Sequence, residues 1–285
     1  MTKVENKVMD EERALYGIDR VVLDNCKFQG PADGESALKE CGIVEASNTL
    51  FDLRYPLWHN NGVYLNNCIM TENCRAALWY TQNVEIVKSE LHGIKALREC
   101  KNTVMRDCDI KSPEFGWNTV GIRITDSKAV GEYFMMRAQN IAARRLDFKG
   151  KYSFQYVKNA TILDSKLDTK DAFWHSKNVT VENSVVIGEY LGWYSANLTF
   201  INCTIIGTQP LCYCKNLKLV DCVMQSTDLA FEKSEVYAVL RGEIDSIKNP
   251  AKGVIKAPAV GEIIRDDKTS KGKILIDPAL MRGAR

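Results

Sequence analysis

The chain carries a hydrophobic pattern that returns every 19 residues. In the stretch from Asn197 to Ile205 the apolar side chains alternate at Leu198 and Phe200, then change parity after Asn202 to fall on Cys203 and Ile205. Alternation is the mark of a half-buried strand, and a change of parity marks a bend between two short strands. With Cys203 as anchor, steps of 19 give Ser89, Cys108, Ser127, Leu146, Ser165, Ser184, Cys203 and Cys222. Going back from Ser89 in steps of 21 adds Cys68, Ser47 and Cys26, making eleven anchors, ten of them Ser or Cys.

Two further columns test this frame. The position three before the anchor is apolar in all eleven repeats, from Leu23, Val44 and Leu65 to Phe200 and Leu219. Two after it stand Phe28, Thr49, Met70 and eight more, with Thr49 the one polar member. The residue at the bend is often Asp or Asn, as at Asn25, Asn67, Asp107, Asp126, Asp164, Asn183, Asn202 and Asp221, side chains that tolerate turn geometry by bonding nearby backbone. Asn83, Asn102, Asn140, Asn159, Asn178, Asn197 and Asn216 form a second turn column, six before the anchor, in which stacked amides can bond from coil to coil.

A period near 20 also suits a leucine-rich repeat, but that repeat needs a Leu-x-x-Leu-x-Leu spacing, and these strands are rich in Val, Ile and Thr. The prediction is therefore an all-β fold, a right-handed parallel β-helix (solenoid) of about eleven coils, spaced ~4.8 Å apart. An open solenoid must cover its ends. Glu5 to Tyr16 is helix-compatible, so residues 1–19 are expected to form an N-terminal helical cap, 20–233 the β-helix, and 234–285 an irregular β C-terminal cap, all in one structural domain. The cap's strand-like pieces lie at Val236 to Leu240, Gly253 to Lys256, Glu262 to Ile264 and Ile274 to Ile276. The 21-residue steps place extra pairs near Gly30 to Gly34, Asp52 to Pro56 and Thr71 to Arg75.

The segments Asn178 to Val186 and Asn197 to Ile205 resemble the repeat of the pectate-lyase-like (pectin-lyase-like) β-helix superfamily, over roughly Val21 to Phe231. In its length of about 285 residues and its Cys/Ser ladder the chain also resembles a bacterial family of unassigned function. The superfamily often has an inward Asn at the anchor, where this chain has Ser or Cys. The resemblance implies that the third part of each coil forms a sheet whose outer face carries substrate.

That third part, about nine residues after the anchor, aligns all five tryptophans: Trp58, Trp79, Trp117, Trp174 and Trp193, in a column continued by Arg98, Met136, Gln155, Cys212 and Phe231. Small residues two further on favour an inward column, whereas Arg98, Gln155 and the competing Leu57, Leu78, Leu97, Met135, Phe154, Phe173 and Leu211 favour an outward one. Both orientations stay open: a core aromatic stack, or an exposed strip suited to sugar rings. The next column holds His59, Tyr80, Glu99, Asn118, Arg137, Tyr156, His175, Tyr194 and Tyr213. Its polar tips suit a ligand, with His59, Tyr80, Tyr156, Tyr194 and Tyr213 as binding candidates and Glu99, Arg137 and His175 as weak catalytic ones, Arg137 to hold an anion and Glu99 or His175 to move protons. An ordinary solvated sheet face is the competing reading.

Composition narrows the field. The 38 basic and 36 acidic residues nearly cancel, which gives no electrostatic reason to expect nucleic acid or an anionic membrane as partner. The N-terminal stretch has no apolar signal region and no segment approaches the ~18 apolar residues of a membrane span, so a cytoplasmic location is expected. Ten cysteines then read as reduced thiols that pack as small hydrophobes, and Cys26, Cys68, Cys108, Cys203 and Cys222 are ladder residues. Cys212, Cys214 and Cys222 lack a second pair at ligand spacing, so no metal and no cofactor are expected. The acidic calcium cluster of pectate lyases is missing, and of the polygalacturonase motifs only Asp266-Asp267 occurs, off the coils. Three functions remain: a saccharide or small polar ligand bound on one exposed parallel sheet, a diverged polysaccharide lyase or glycoside hydrolase, and a non-enzymatic structural or assembly protein. Oligomeric state is left open.

Overall fold

The computed structural model describes residues 1–30 and 34–281. It is an all-β parallel solenoid whose strands pair with the strand one coil before and one coil after, and the chain divides into two compact units, Met1–Asp147 and Phe148 onward. In the N-terminal unit the first wall is built by Thr2–Glu5, Arg20–Asp24, Ile43–Ser47, Asn61–Asn66, Gln82–Val87 and Lys101–Arg106. Short strands from Val8–Met9 to Asp109–Lys111 build the second wall. In the C-terminal unit Lys158–Leu163, Lys177–Glu182, Ala196–Ile201 and Leu217–Gln225 continue the first-wall pattern. Inward residues alternate as expected, and the aromatic core stacks in register: Phe28 on Phe51 at 5.3 Å, Phe115 on Phe134 at 5.1 Å, Phe154 on Phe173 at 5.6 Å.

The N-terminal end differs from the sequence expectation. No helix forms over Glu5 to Tyr16; Thr2–Glu5 and Val8–Met9 pair in parallel with the coil that follows, Thr2 opposite Val21 and Val8 opposite Lys27, so the residues assigned to a helical cap form another coil. The apolar contact that Val8, Ala14 and Leu15 could make from a helix does not outweigh the unpaired backbone of the Arg20–Asp24 edge, which this segment satisfies. After Phe231 the four strand-like pieces are strands. Glu235–Leu240, Lys252–Ala257 and Lys273–Ile276 extend the first wall, while Ile244–Lys248 pairs with Val260–Ile264.

The register of the early coils is also corrected. Cys26 lies over Thr49, because Lys27 pairs with Leu50, a step of 23; the next step, Leu50 to Ile69, is 19, and then Ile69 to Glu90 is 21. Thr49 therefore takes the anchor position assigned to Ser47, Ala46 replaces Val44, and Phe51 fills the column in which Thr49 stood out as polar. Of the three extra pairs, the one at Asp52 to Pro56 does not exist. The step of 23 adds four residues between Gln29 and Glu35, a span in which 31–33 lie outside the described residues, and Thr71 to Arg75 carries two.

The third wall is not a β-strand. Alternate residues along it have positive φ: Tyr55 (60°), Leu57 (63°) and His59 (59°) in one coil, Tyr190 (55°), Gly192 (73°) and Tyr194 (59°) in another. Side chains then run two in, two out: Pro56 and Leu57 are buried, Trp58 and His59 face outward, and Asn60 is buried again. Leu57, Leu78, Leu97, Met135, Phe154, Phe173 and Leu211 are the inward residues, each fully buried.

Carbonyl groups of six left-handed residues are met by side chains at the following corner of the next coil. Asn60 donates to Leu38 O (2.9 Å), Thr81 to Leu57 O (2.7 Å), Cys100 to Leu78 O (2.7 Å), Thr119 to Leu97 O (2.8 Å), Cys214 to Gly192 O (3.1 Å) and Ser234 to Leu211 O (2.7 Å). Where a side chain serves the carbonyl the corner holds a small buried donor, Thr, Ser, Cys or Asn; at Ala138 and Ser176 the backbone N–H serves instead, donating to Met135 O and Phe173 O. Replacing Thr119 by Val keeps the shape but leaves Leu97 O without its donor, and is expected to destabilise by about 1–3 kcal/mol, while Thr119→Ser keeps the bond. Urea unfolding decides this: equal midpoints for the Val and Ser variants would remove the donor argument.

Candidate functional site

The tryptophan column points outward and is half-buried. Each indole is held by its own N–H, which donates to a carbonyl of the next coil: Trp58 to Ala76 O, Trp79 to Lys95 O, Trp117 to Tyr133 O, Trp174 to Tyr190 O and Trp193 to Gln209 O, at 2.5–2.8 Å. Every acceptor is a residue of positive φ. Two non-tryptophan members of the column do the same: Gln155 Nε2 donates to Asp171 O at 2.9 Å, and the Cys212 thiol to Leu229 O at 3.6 Å, whereas Phe231 is fully buried and belongs with the inward residues. Arg98 bonds Glu114 at 3.0 Å, its guanidinium lying between Trp79 and Trp117 at 4.7 and 4.6 Å from the ring centroids. A core aromatic stack is thus excluded, since the two-in, two-out turn places Trp79 and Thr81 on opposite sides although they are two residues apart.

The neighbouring column of binding candidates is exposed, with Tyr80, Tyr156 and Tyr194 over 40% accessible (44%, 42% and 48%). Its rings, however, stack on one another. In the N-terminal unit His59 lies on Tyr80 at 4.8 Å and 12°. In the C-terminal unit Tyr156, His175, Tyr194 and Tyr213 form a four-ring ladder, with centroid separations of 4.9, 5.1 and 4.8 Å. Beside them Trp58 stacks on Trp79 at 5.1 Å and Trp174 on Trp193 at 5.5 Å. A sugar ring stacks on an aromatic face, and here the faces of His175 and Tyr194 are both covered, leaving edges and polar tips to solvent. Glu99 accepts a hydrogen bond from Asn118 Nδ2 at 2.7 Å, and Arg137 lies in the same unit with interactions of its own. His175 belongs to the other unit, as one rung of the ladder.

A different surface has the shape of a site. On the outer face of the first wall in the N-terminal unit lies a concavity of about 410 Å³, lined by Glu45, Tyr64, Asn66, Glu85 and Arg106 among others. Parallel register builds it: Glu45 pairs with Tyr64 and Tyr64 with Glu85, so the tyrosine stands between two carboxylates, with Ser47, Asn66, Val87 and Arg106 on the adjoining line. Glu45 is bound by Arg20 at 2.7 Å, and Arg106 approaches Glu85 at 3.7 Å. Tyr64 is 45% exposed, and among the described residues no ring stacks on it. Sequence reasoning passed over this line, four before the anchor, because it is uniform in neither polarity nor aromaticity; the pattern Glu45, Tyr64, Glu85, two carboxylates around one aromatic, was its signal, hidden by the two-residue error in register.

The thiols are all buried and unpaired, as the ladder reading requires. Burial pushes the Cys74, Cys100 and Cys212 thiols up to about 12 and that of Cys214 to about 11, so at neutral pH they are protonated donors and poor nucleophiles. Among the described residues no three His, Cys, Asp or Glu side chains are grouped to hold a metal ion, and no helix is long and apolar enough to cross a membrane.

The fold and these surfaces define a parallel β-solenoid with an outward sheet face. Over residues 2–276 the chain matches the family described as "Protein of unknown function (DUF3737)", and it belongs to that family. No characterised protein matches it in sequence. Among solved structures it is similar to the catalytic domain of a GH87 α-1,3-glucanase in complex with tetrasaccharides, at 10% identity and a TM-score of 0.24, covering 99% of this chain. The chain spans 61% of the length of that structure.

One buried carboxylate in the third wall gives a test of its electrostatics. Asp171 is 5% exposed, and burial pushes its carboxyl above its ordinary value, opposed by Lys170 and reinforced by Glu189. A carboxyl whose folded value exceeds its unfolded one destabilises the fold once it ionises; the penalty is absent below an unfolded value of ~3.9 and complete above the folded one. Asp171→Asn is therefore expected to raise the melting temperature at pH 7, with the gain shrinking towards pH 3.5. A variant less stable than wild type at pH 7 contradicts this.

Proposed function

We propose that the protein binds a saccharide or a similar polyhydroxylated ligand on the outer sheet of its N-terminal unit, at the concavity around Tyr64. The observation that carries this reading is an exposed tyrosine with no stacked ring, set between two carboxylates on one line of the sheet. A sugar offers an apolar face and a rim of hydroxyls; the tyrosine suits the face, and Glu45, Glu85 and Asn66 suit the hydroxyls as acceptors and donors. The stacked ladder of His175 and Tyr194, by contrast, is satisfied by its own rings. The two carboxylates lie two coils apart, ~10 Å between backbones, and each is already engaged by an arginine on an open surface. That favours binding over hydrolysis. Ten buried thiols without a disulfide favour a reducing compartment such as the cytoplasm.

The test is a glycan array probed with wild type, Tyr64→Ala and Tyr156→Ala. Wild type is expected to retain at least one neutral oligosaccharide, Tyr64→Ala to bind it about ten-fold or more weakly, equivalent to ~1.4 kcal/mol, and Tyr156→Ala to bind as wild type. If no glycan is retained by wild type the reading fails. If Tyr156→Ala alone loses binding, the ligand belongs on the third wall.

A further inference from the structure

The first wall of the C-terminal unit presents a second surface, of opposite character. Strands Leu217–Gln225, Glu235–Leu240 and Lys252–Ala257 lie side by side, and their register sets Lys218, Tyr237 and Val254 on one outward line and Val220, Val239 and Lys256 on the next. The result is a shallow apolar concavity of about 270 Å³ with lysines at two opposite corners. Val220 is 43% exposed and Tyr237 48%. The adjoining strand, Lys273–Ile276, prolongs the two lines with Lys273 and with Leu275, which is 47% exposed.

The lysines distinguish this patch from scattered surface apolar residues. Nearby Lys252 and Lys248 are neutralised within the unit, by Glu235 at 3.1 Å and Glu232 at 3.3 Å. Among the described residues Lys218, Lys256 and Lys273 have no acidic partner within salt-bridge distance. Their charge frames apolar surface and is uncompensated, so the complementary occupant is apolar at its centre and acidic at its ends. The face is open and covers only one side of whatever lies on it. An acyl chain there would keep half its surface in water, whereas a polypeptide brings its own second side.

We propose that this face docks an acidic, amphipathic segment of a protein partner, its apolar side chains seated on Val220, Tyr237 and Val239 and its carboxylates on Lys218 and Lys256. Two coils along the axis and two residues along the strand separate those lysines, a diagonal of ~12 Å between backbones, which sets the spacing of the partner's carboxylates. That distance corresponds to about four residues of extended chain or two turns of helix. The site is independent of the Tyr64 surface.

A random dodecapeptide phage library panned on the full-length protein tests the proposal. The expected outcome is enrichment of peptides with two carboxylates around an apolar pair. Synthetic copies are expected to bind about ten-fold or more weakly to the double variant Lys218→Glu/Lys256→Glu, more weakly at high salt, and unchanged to Tyr64→Ala. Val220→Asp provides a second variant, on an exposed position that leaves the inward face untouched. Far-ultraviolet circular dichroism confirms that each variant is folded. Peptides without acidic bias, peptides indifferent to both variants, or no enrichment at all overturn it. So does co-sedimentation with vesicles of phosphatidylglycerol and phosphatidylcholine that is lost in the lysine variant, since that would make the surface a lipid contact.

Discussion

The structure depends on how one wall of each coil satisfies its backbone. Along the third wall every second residue has positive φ, a conformation that costs a non-glycine residue on the order of 1–3 kcal/mol, and its carbonyl groups need donors from outside the usual strand ladder. Backbone N–H groups provide some, as Ala138 N does for Met135 O and Ser176 N for Phe173 O, and side chains provide others at two positions. Small donors at the corner, Thr81, Cys100, Thr119 and Cys214, meet the carbonyls of the inward residues. Outward donors, chiefly the indoles, meet the carbonyls three residues earlier in the turn of the next coil. A tight turn carries four side chains in the order in, in, out, out, and this places two large residues on the core from a segment too short for a strand of the same content.

That constraint explains much of the composition. Cysteine recurs because it is the least polar of the small donors: buried Cys100 bonds Leu78 O and still packs as a hydrophobe, with its proton fixed by a raised pKa. Tryptophan recurs because its donor lies at the far edge of a large flat ring, so it can span the gap between coils while covering the wall. Gln155 and Cys212, two non-aromatic members of that column, do the same work with other donors. Stacking follows from register, since identical rings repeated at one position on adjacent coils come face to face.

Much of the architecture was legible in the sequence because the first two walls are ordinary strands, and strand periodicity with a change of parity reads directly as two walls and a bend. The alignment failed at Ser47 for a specific reason. Ser and Thr both serve as corner donors, the coils there carry unequal insertions, and spreading the excess evenly put Thr49 among apolar residues where Phe51 belongs. The third wall was not legible in its orientation, because parity arguments assume extended backbone and the left-handed residues remove that assumption. Gly116 and Gly192 advertise positive φ by type; Leu57, Leu78 and Phe173 do not.

The same chemistry decides where ligands can go. A column of rings that satisfy the backbone and then one another has exhausted its faces and its best donors, so the most aromatic part of the molecule is among its least available for stacking. Availability lies where register breaks a column instead of completing it. Tyr64 has carboxylates above and below, and Tyr237 has Lys218 on one side and Val254 on the other. Each tyrosine therefore keeps surface that no neighbour of its own kind can cover, with opposite charge supplied around it. In a solenoid, where like stacked on like is the rule that stabilises, the positions that depart from it are the ones whose side-chain faces stay uncovered.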